Sequence, residues 1–270
     1  MAGCMSGDGG NGSGTTDAPT TAAPTTDAPD ETTTKPTTTT TPEDDGPLAI
    51  GEAADLSDSK AISVDGMDSS IFVLTQGDGG ADVEAETGTY YVLVTFGGQG
   101  VSDYESFVTE NATLVINERE YGDPVFTYTS GFTTFTAAYQ VPADLTPYTG
   151  RVKLETGDVS AAWEFDAGVI ESITQSVSYA VSSVSVPDAV APGAPFGIDV
   201  TVENGGDPMT FLGQVFGTRA APVRVRQDVP GSDAKTFTVA AKAPAAGDES
   251  EFDVTLDWGA DSISKTIPFE

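Results

Sequence analysis

Carboxylates are the most numerous groups in this chain that could bind a ligand directly, and they form two dense clusters. The first flanks a glycine-rich loop at residues 77–81 and consists of Asp78, Asp82, Glu84 and Glu86. Calcium takes its ligands from carboxylates, carbonyls and water, so this cluster is a candidate calcium site. The second cluster consists of Asp248, Glu249, Glu251 and Asp253. Alternate residues share one face of a strand, so the second cluster is typical of a solvated surface. No metal is therefore assigned.

Apart from the carboxylates, the chain has few side chains of the types that act in catalysis. The 270 residues include no histidine and a single cysteine. An imidazole base, a Ser-His-Asp triad and an ordinary histidine-containing zinc site are therefore excluded. A carboxylate pair could hydrolyse a glycoside, but in so acidic a chain two carboxylates come close by chance. We expect no catalytic residue and no cofactor.

One basic cluster stands out, formed by Arg219, Arg224 and Arg226. Arg224 and Arg226 alternate with Val223 and Val225, so both guanidinium groups lie on the outer face of a predicted strand. They are candidates for binding an acidic glycan or a neighbouring protein. The alternative is that they pair with carboxylates on an adjacent strand, as exposed arginines commonly do. Lys and Arg are too few elsewhere to neutralise phosphates, so no nucleic acid is expected to bind.

Two sites for covalent modification by sugar are present. Asn11-Gly12-Ser13 and Asn111-Ala112-Thr113 both match the N-glycosylation sequon, with no proline in the middle. Asn11 and Asn111 are therefore candidate glycan acceptors, and both are expected to be exposed.

The single cysteine carries a different kind of signal. Cys4 ends the sequence Met1-Ala2-Gly3-Cys4, which resembles the last residues of a lipobox. That resemblance implies that Cys4 becomes a lipidated N-terminus and anchors the chain to the outer face of the cytoplasmic membrane. A lone cysteine also excludes an internal disulfide framework.

A threonine- and proline-rich stretch follows Cys4. Residues 15–42 contain fourteen threonines and five prolines. Such a composition buries too little to offset the entropy of ordering it, and its prolines favour an extended chain about 100 Å long. We predict that residues 1–46 are a disordered stalk that holds the folded part away from the membrane.

The charge is extreme and uniform. The chain has 42 acidic and 11 basic residues, a net charge of −31. The acidic and basic counts are 8 and 1 in residues 1–46, 20 and 4 in 47–170, and 14 and 6 in 171–270. Negative charge spread evenly over the surface is typical of haloarchaeal proteins. In molar salt the Debye length is about 3 Å, so the repulsion between the acidic side chains is screened. The alternative is an acidic surface protein of a mesophilic organism.

In the part of the chain predicted to fold, apolar residues recur at every second position. Apolar residues alternate with acidic or threonine residues in three clear segments, at Val159 to Phe165, Phe196 to Val202 and Phe252 to Trp258. Helical spacing is absent except for a short turn near Tyr104 to Val108. Turn signals recur between the segments, at Gly97-Gly98, Gly122-Asp123-Pro124, Gly157-Asp158, Asn204-Gly205-Gly206 and Asp228-Val229-Pro230-Gly231. The pattern predicts an all-β protein with antiparallel β-sandwiches.

Aromatic residues at strand spacing are expected in the core, although they could also line a groove: Tyr90, Tyr91, Phe126, Tyr128, Phe132, Phe135 and Tyr139.

The domain boundary is predicted between residues 167 and 176. It divides the folded part into sandwiches at 47–170 and 171–270.

Two segments resemble known families. The strands Thr89 to Phe96, Thr113 to Asn117 and Phe135 to Pro142 are similar to telokin-like Ig domains of prokaryotic lipoproteins. The lead Val186-Pro187…Ala191-Pro192-Gly193 into a strand ending Val202-Glu203-Asn204-Gly205-Gly206 resembles cell-adhesion-related Ig-like domains of prokaryotic surface proteins. The resemblance implies two tandem Ig-like sandwiches and no catalytic residue.

These observations predict a non-catalytic, lipid-anchored extracellular protein that presents Ig-like domains to an envelope protein or glycan in a halophile. The alternative is a substrate-binding module attached to a transporter or secretion system. A carboxylate-pair hydrolase is a third possibility.

Overall fold

Strands dominate the structure, a computed structural model that describes residues 46–57, 59–77, 80–127, 135–157, 159–174, 177–218, 221–245 and 247–270. All pairings between its named strands are antiparallel. The chain is therefore an all-β protein, as the two-residue alternation predicts. Within these residues, neither helix is long and apolar enough to cross a bilayer.

The first sandwich consists of two sheets that pack face to face. One has five strands in the order β1-β2-β5-β9-β8, and the other has four strands in the order β11-β10-β6-β7. Its strands are β1 (Ala53–Ser57), β2 (Lys60–Ser70), β5 (Thr89–Gln99), β6 (Ala112–Ile116), β7 (Arg119–Tyr121), β8 (Val125–Phe126), β9 (Phe135–Pro142), β10 (Gly150–Thr156) and β11 (Val159–Glu164). Between β2 and β5 the chain forms a separate hairpin, made of β3 (Val73–Gly77) and β4 (Gly80–Glu84).

The second sandwich also consists of two sheets that pack face to face. One has three strands in the order β12-β13-β16, and the other has four strands in the order β15-β14-β17-β18. Its strands are β12 (Tyr179–Ser185), β13 (Pro195–Asn204), β14 (Met209–Phe216), β15 (Val223–Val229), β16 (Asp233–Lys242), β17 (Glu251–Asp257) and β18 (Ser262–Pro268).

A short helix crosses between the sheets of the first sandwich. Helix α1 (Tyr104–Asn111) connects β5 to β6 and begins after Asp103, whose carboxylate accepts a hydrogen bond from the Ser106 amide at 3.2 Å. Such a side-chain cap satisfies one of the free N–H groups of the first turn. Val108 is fully buried. The turn predicted near Tyr104 to Val108 is confirmed, and it continues to Asn111.

Each sandwich encloses its own hydrophobic cluster. The first core includes Trp163, Tyr90 and Tyr139, and the second core includes Ile198, Phe211 and Leu256; all six are essentially inaccessible. The predicted alternation is confirmed on β17. Its apolar side chains Phe252, Val254 and Leu256 are buried, whereas Glu251 before them and Asp253 among them are exposed.

The predicted boundary region contains a second helix. Helix α2 (Ala167–Ser172) is capped by Asp166, whose carboxylate accepts from the Val169 amide at 2.8 Å. The next residue, Ile173, is fully buried in the first core, and Val177 contacts both cores. All described residues belong to one compact unit. The division into 47–170 and 171–270 therefore stays a prediction.

One predicted turn is wrong. Gly97 and Gly98 lie inside β5 and pair with Ser63 and Ile62 of β2. A Cβ atom on Gly98 would meet the Tyr104 hydroxyl at 2.5 Å, and one on Gly97 would collide with Asp65. Glycine is present here because other side chains cross closely over the strand, which is a second common reason for strand glycines.

Candidate functional site at the junction of the sandwiches

The hairpin β3–β4 lies between the sandwiches and contacts both. On one side Val73 packs against Tyr91 and Ala138, which lie on the outer face of the five-stranded sheet. On the other side Phe72 and Ala85, at the two ends of the hairpin, belong to the second core. The hairpin is therefore a shared layer, buried by both sandwiches.

Polar and backbone contacts hold the second sandwich against this hairpin. The Gln214 side chain is 3% exposed, and its amide donates to the Ala81 carbonyl at 2.6 Å. Gly259 lies so close to β4 that an added Cβ would approach the Ala85 nitrogen at 2.6 Å and the Val83 oxygen at 2.8 Å. Its φ of +82° also favours glycine.

A cleft of about 860 Å³ opens beside the hairpin, and we call it the junction cleft. Its apolar wall includes Phe72, Leu74, Leu93, Met209 and Leu212. The polar rim contains the Thr95 and Thr136 hydroxyls, which are 3.1 Å apart, and Asp228, which accepts from the Thr210 hydroxyl at 2.9 Å. Arg226 is the only basic residue among its lining residues. Asp68 and Asp228 also line it, so the lining suits an apolar or amphipathic ligand and does not favour an acidic one.

A second concavity of about 330 Å³ lies on the other side of the hairpin, and we call it the acidic pocket. Carboxylates of Glu84, Glu86 and Asp123 line it together with Tyr91 and Gln140. The ring of Tyr91 is buried, and this burial, aided by the charges of Glu84 and Glu86, raises the pKa of its hydroxyl to about 12. The pocket therefore combines negative charge with a neutral phenol.

Of the predicted calcium ligands, Glu84 and Glu86 line the acidic pocket together, whereas Asp82 is not among its lining residues. Asp82 is exposed and its carboxylate lies over Gly77. Glu84 instead accepts from the Thr75 hydroxyl at 2.7 Å, and Glu86 accepts from the Gln140 amide. Asp78 lies outside the described residues.

No group of three or more His, Cys, Asp or Glu in the described ranges could hold a metal ion. The second acidic cluster, Asp248, Glu249, Glu251 and Asp253, is exposed throughout, as expected for a solvated surface. Asp253 accepts from the Thr266 hydroxyl at 2.6 Å on the adjacent strand.

The arginines take a different arrangement from the predicted ion pairs. Arg224 and Arg226 are exposed on β15, and neither forms an ion pair with a residue that the structure describes. Strand β15 is at the edge of its sheet, and the residues opposite these arginines are Gln214 and Leu212. The expected cross-strand pairing with carboxylates is therefore wrong, because the neighbouring strand offers none. Arg219 lies outside the described residues.

Asn111 ends α1 and is half-buried. The full exposure expected for this residue is therefore wrong, and its side-chain amide donates to the Phe107 carbonyl at 2.8 Å. Cys4 and Asn11 lie outside the described residues. Lipidation of Cys4 and glycosylation at both asparagines stay predictions.

The aromatic residues are mostly core, as predicted. Tyr90, Tyr91 and Tyr139 are buried, Phe126 and Phe135 are half-buried, and Tyr128 and Phe132 are not described. Neither the junction cleft nor the acidic pocket is predicted by the sequence pattern. The available signal was the unbroken apolar run Tyr90 to Val94, because such a run predicts a strand covered on both faces.

No protein-family model matches this chain, and no curated protein is significantly similar to it. The resemblance to telokin-like and cell-adhesion-related domains therefore stays a prediction.

Proposed function

We propose that this protein is a non-catalytic, lipid-anchored surface protein that presents Ig-like β-sandwiches in the cell envelope of a halophile. Cys4 carries the lipid, the threonine- and proline-rich segment is the spacer, and the partner is an envelope protein or glycan. The observation that carries the proposal is the burial of one hairpin by both sandwiches. A pair of sandwiches coupled in this way offers a partner a surface of fixed shape.

The surface charge supports a high-salt environment. Among the described residues only Lys153 forms ion pairs, with Glu120 at 3.2 Å and Glu155 at 3.9 Å. Few of the acidic side chains in the described ranges are therefore offset by an ion pair there. Screening by molar salt, over about 3 Å, relieves the repulsion that remains.

The lipid anchor is tested by replacing its attachment point. We expect the chain, produced in a halophilic host behind a lipoprotein signal peptide, to partition into membranes and to carry the added mass of a lipid. Cys4→Ser should appear in the medium without that mass. Asn11→Gln, a change in the same segment, is the matched control and should remain in the membrane. Equal membrane retention of Cys4→Ser would contradict the anchor.

Ligand capture for a transporter is a second candidate, favoured by the junction cleft. Its volume of about 860 Å³ lies in the range of small-molecule sites. Phe72 is the single aromatic residue among its lining residues, however, and capture sites usually have more. Native mass spectrometry separates the two functions. A bound molecule that is lost in Leu93→Trp, which fills the cleft, would favour capture.

A further inference from the structure

We propose that the acidic pocket binds a primary alkylammonium group, either a free amine or the lysine side chain of a partner protein. The carboxylates come from three places, Glu84 at the end of β4, Glu86 two residues later and Asp123 in the loop between β7 and β8. They surround a space of about 330 Å³, which is large enough for a short amine.

Tyr91 supplies an observation that is independent of the acidic residues. Its side chain is 5% exposed and lines the pocket, yet its hydroxyl has no hydrogen-bond partner among the residues that the structure describes. Glu84 and Glu86 line the same pocket as this side chain. Burial holds this side chain in place, and its unpaired hydroxyl can form a hydrogen bond with a ligand in the pocket.

The carboxylates keep acceptor capacity for a ligand. Glu84 accepts one hydrogen bond from Thr75, and Glu86 accepts one from Gln140. A carboxylate has about four lone-pair positions, so both can accept more. An ammonium group offers three donors and a positive charge, which together match the carboxylates and the phenol oxygen.

The spacing of the pocket favours an organic cation over a metal ion. Calcium needs oxygen ligands at about 2.3–2.6 Å on one centre, and the described carboxylates form no such group. An aliphatic stem also has a wall to contact, formed by Val83, Ala85, Val125 and Ala138.

The test is calorimetric titration of the full chain with 1,5-diaminopentane in 1 M KCl, where diffuse attraction to the net charge of −31 is screened. We expect saturable binding of one amine per chain. Tyr91→Phe and Glu84→Gln should each weaken it at least about tenfold, a loss of about 1.4 kcal/mol. Glu249→Gln removes an exposed carboxylate outside the pocket and should leave the affinity unchanged. Asp123→Asn, in a loop, provides a further variant if either strand substitution unfolds the protein.

A second titrant, Nα-acetyl-lysine methylamide, distinguishes the source of the amine. Binding comparable to that of the diamine supports a partner's lysine, whereas binding of the diamine alone supports a free amine. Three outcomes would overturn the proposal. These are no saturable binding of either titrant, equal weakening by Glu249→Gln, and binding of calcium chloride in place of the amines.

Discussion

Buried tyrosine hydroxyls are the most unusual single groups in the first sandwich. The hydroxyls of Tyr90, Tyr121 and Tyr139 are buried and have no partner among the described residues. Trp163, also fully buried, is by contrast satisfied, because its indole N–H donates to the Glu52 carbonyl at 2.8 Å. A buried phenol without a partner is stable only in its neutral form.

This gives a prediction for alkaline pH. Burial raises the pKa of Tyr90, Tyr91 and Tyr179 from 10.0 to about 12, and it raises the pKa of Tyr139 as well. The unfolded chain therefore loses these protons first. The stability they contribute is complete below pH 10 and is lost between pH 10 and about 12, with up to about 3 kcal/mol from Tyr90 alone.

The measurement is circular dichroism together with tyrosine absorbance at high pH in molar KCl. We expect the loss of the β-sheet signal to coincide with the ionisation of the buried tyrosines. Complete ionisation of every tyrosine while the sheet signal persists would contradict the burial of these hydroxyls.

At the scale of elements, the hairpin β3–β4 decides how the molecule is built. The sequence around it suggested a calcium-binding loop, because glycines and carboxylates are dense there. In the structure the same residues form two paired strands, with Thr75 opposite Asp82 and Gln76 opposite Ala81. Their apolar side chains fill the space between the sandwiches.

Gly259→Ala is predicted to open this junction. The new Cβ would meet the backbone of Val83 and Ala85 at under 3 Å, and backbone cannot move aside cheaply. Gly88→Ala is the matched control, since its φ is +81° and nothing lies within 4 Å of its added Cβ. We expect the control to lose roughly 1–2 kcal/mol of unfolding free energy from its left-handed backbone. Gly259→Ala should lose about 1–3 kcal/mol more from overpacking.

Urea unfolding in molar KCl, followed by tryptophan fluorescence, measures both changes. Trp258 precedes Gly259 and is buried in the second core, so it reports on the junction directly. Equal destabilisation by the two substitutions would mean that the close approach of Gly259 to β4 does not contribute to stability.

At the scale of the whole molecule, charge should govern stability. With a net charge of −31 and few ion pairs among the described residues, repulsion opposes folding in dilute buffer. We expect the melting temperature to rise steeply between 0.1 M and 3 M KCl. The triple variant Glu249→Gln, Glu251→Gln and Asp253→Asn removes three exposed charges and should raise the melting temperature at 0.1 M KCl by a few degrees.

The same variant should differ little from the wild type at 3 M KCl, because screening has already removed the repulsion. Differential scanning calorimetry at both salt concentrations makes the comparison. A melting temperature that is independent of salt, or an equal gain for the variant at both concentrations, would show that charge repulsion is not the controlling term.

The sequence alone determined the class of fold and the identity of much of the core. Alternation in β13 and β17 places Ile198, Val200, Val254 and Leu256 inside, because successive strand side chains point to opposite faces. Helical spacing in the sequence also predicted the turn near Tyr104, where Asp103 caps the helix. These are local properties, set by neighbours in the chain.

The tertiary structure alone decided what lies on the outer face of the five-stranded sheet. Tyr91, Ala138 and Val73 form a buried layer there, and the layer exists because the hairpin folds back between two sandwiches. Alternation shows that a face is apolar, but it does not show which distant segment covers it. For the same reason neither the junction cleft nor the acidic pocket could be read from spacing. The wall of the acidic pocket joins β4, β5, β9 and the bend at Gly259, and these segments meet only through packing although Val83 and Gly259 are 176 residues apart in the chain.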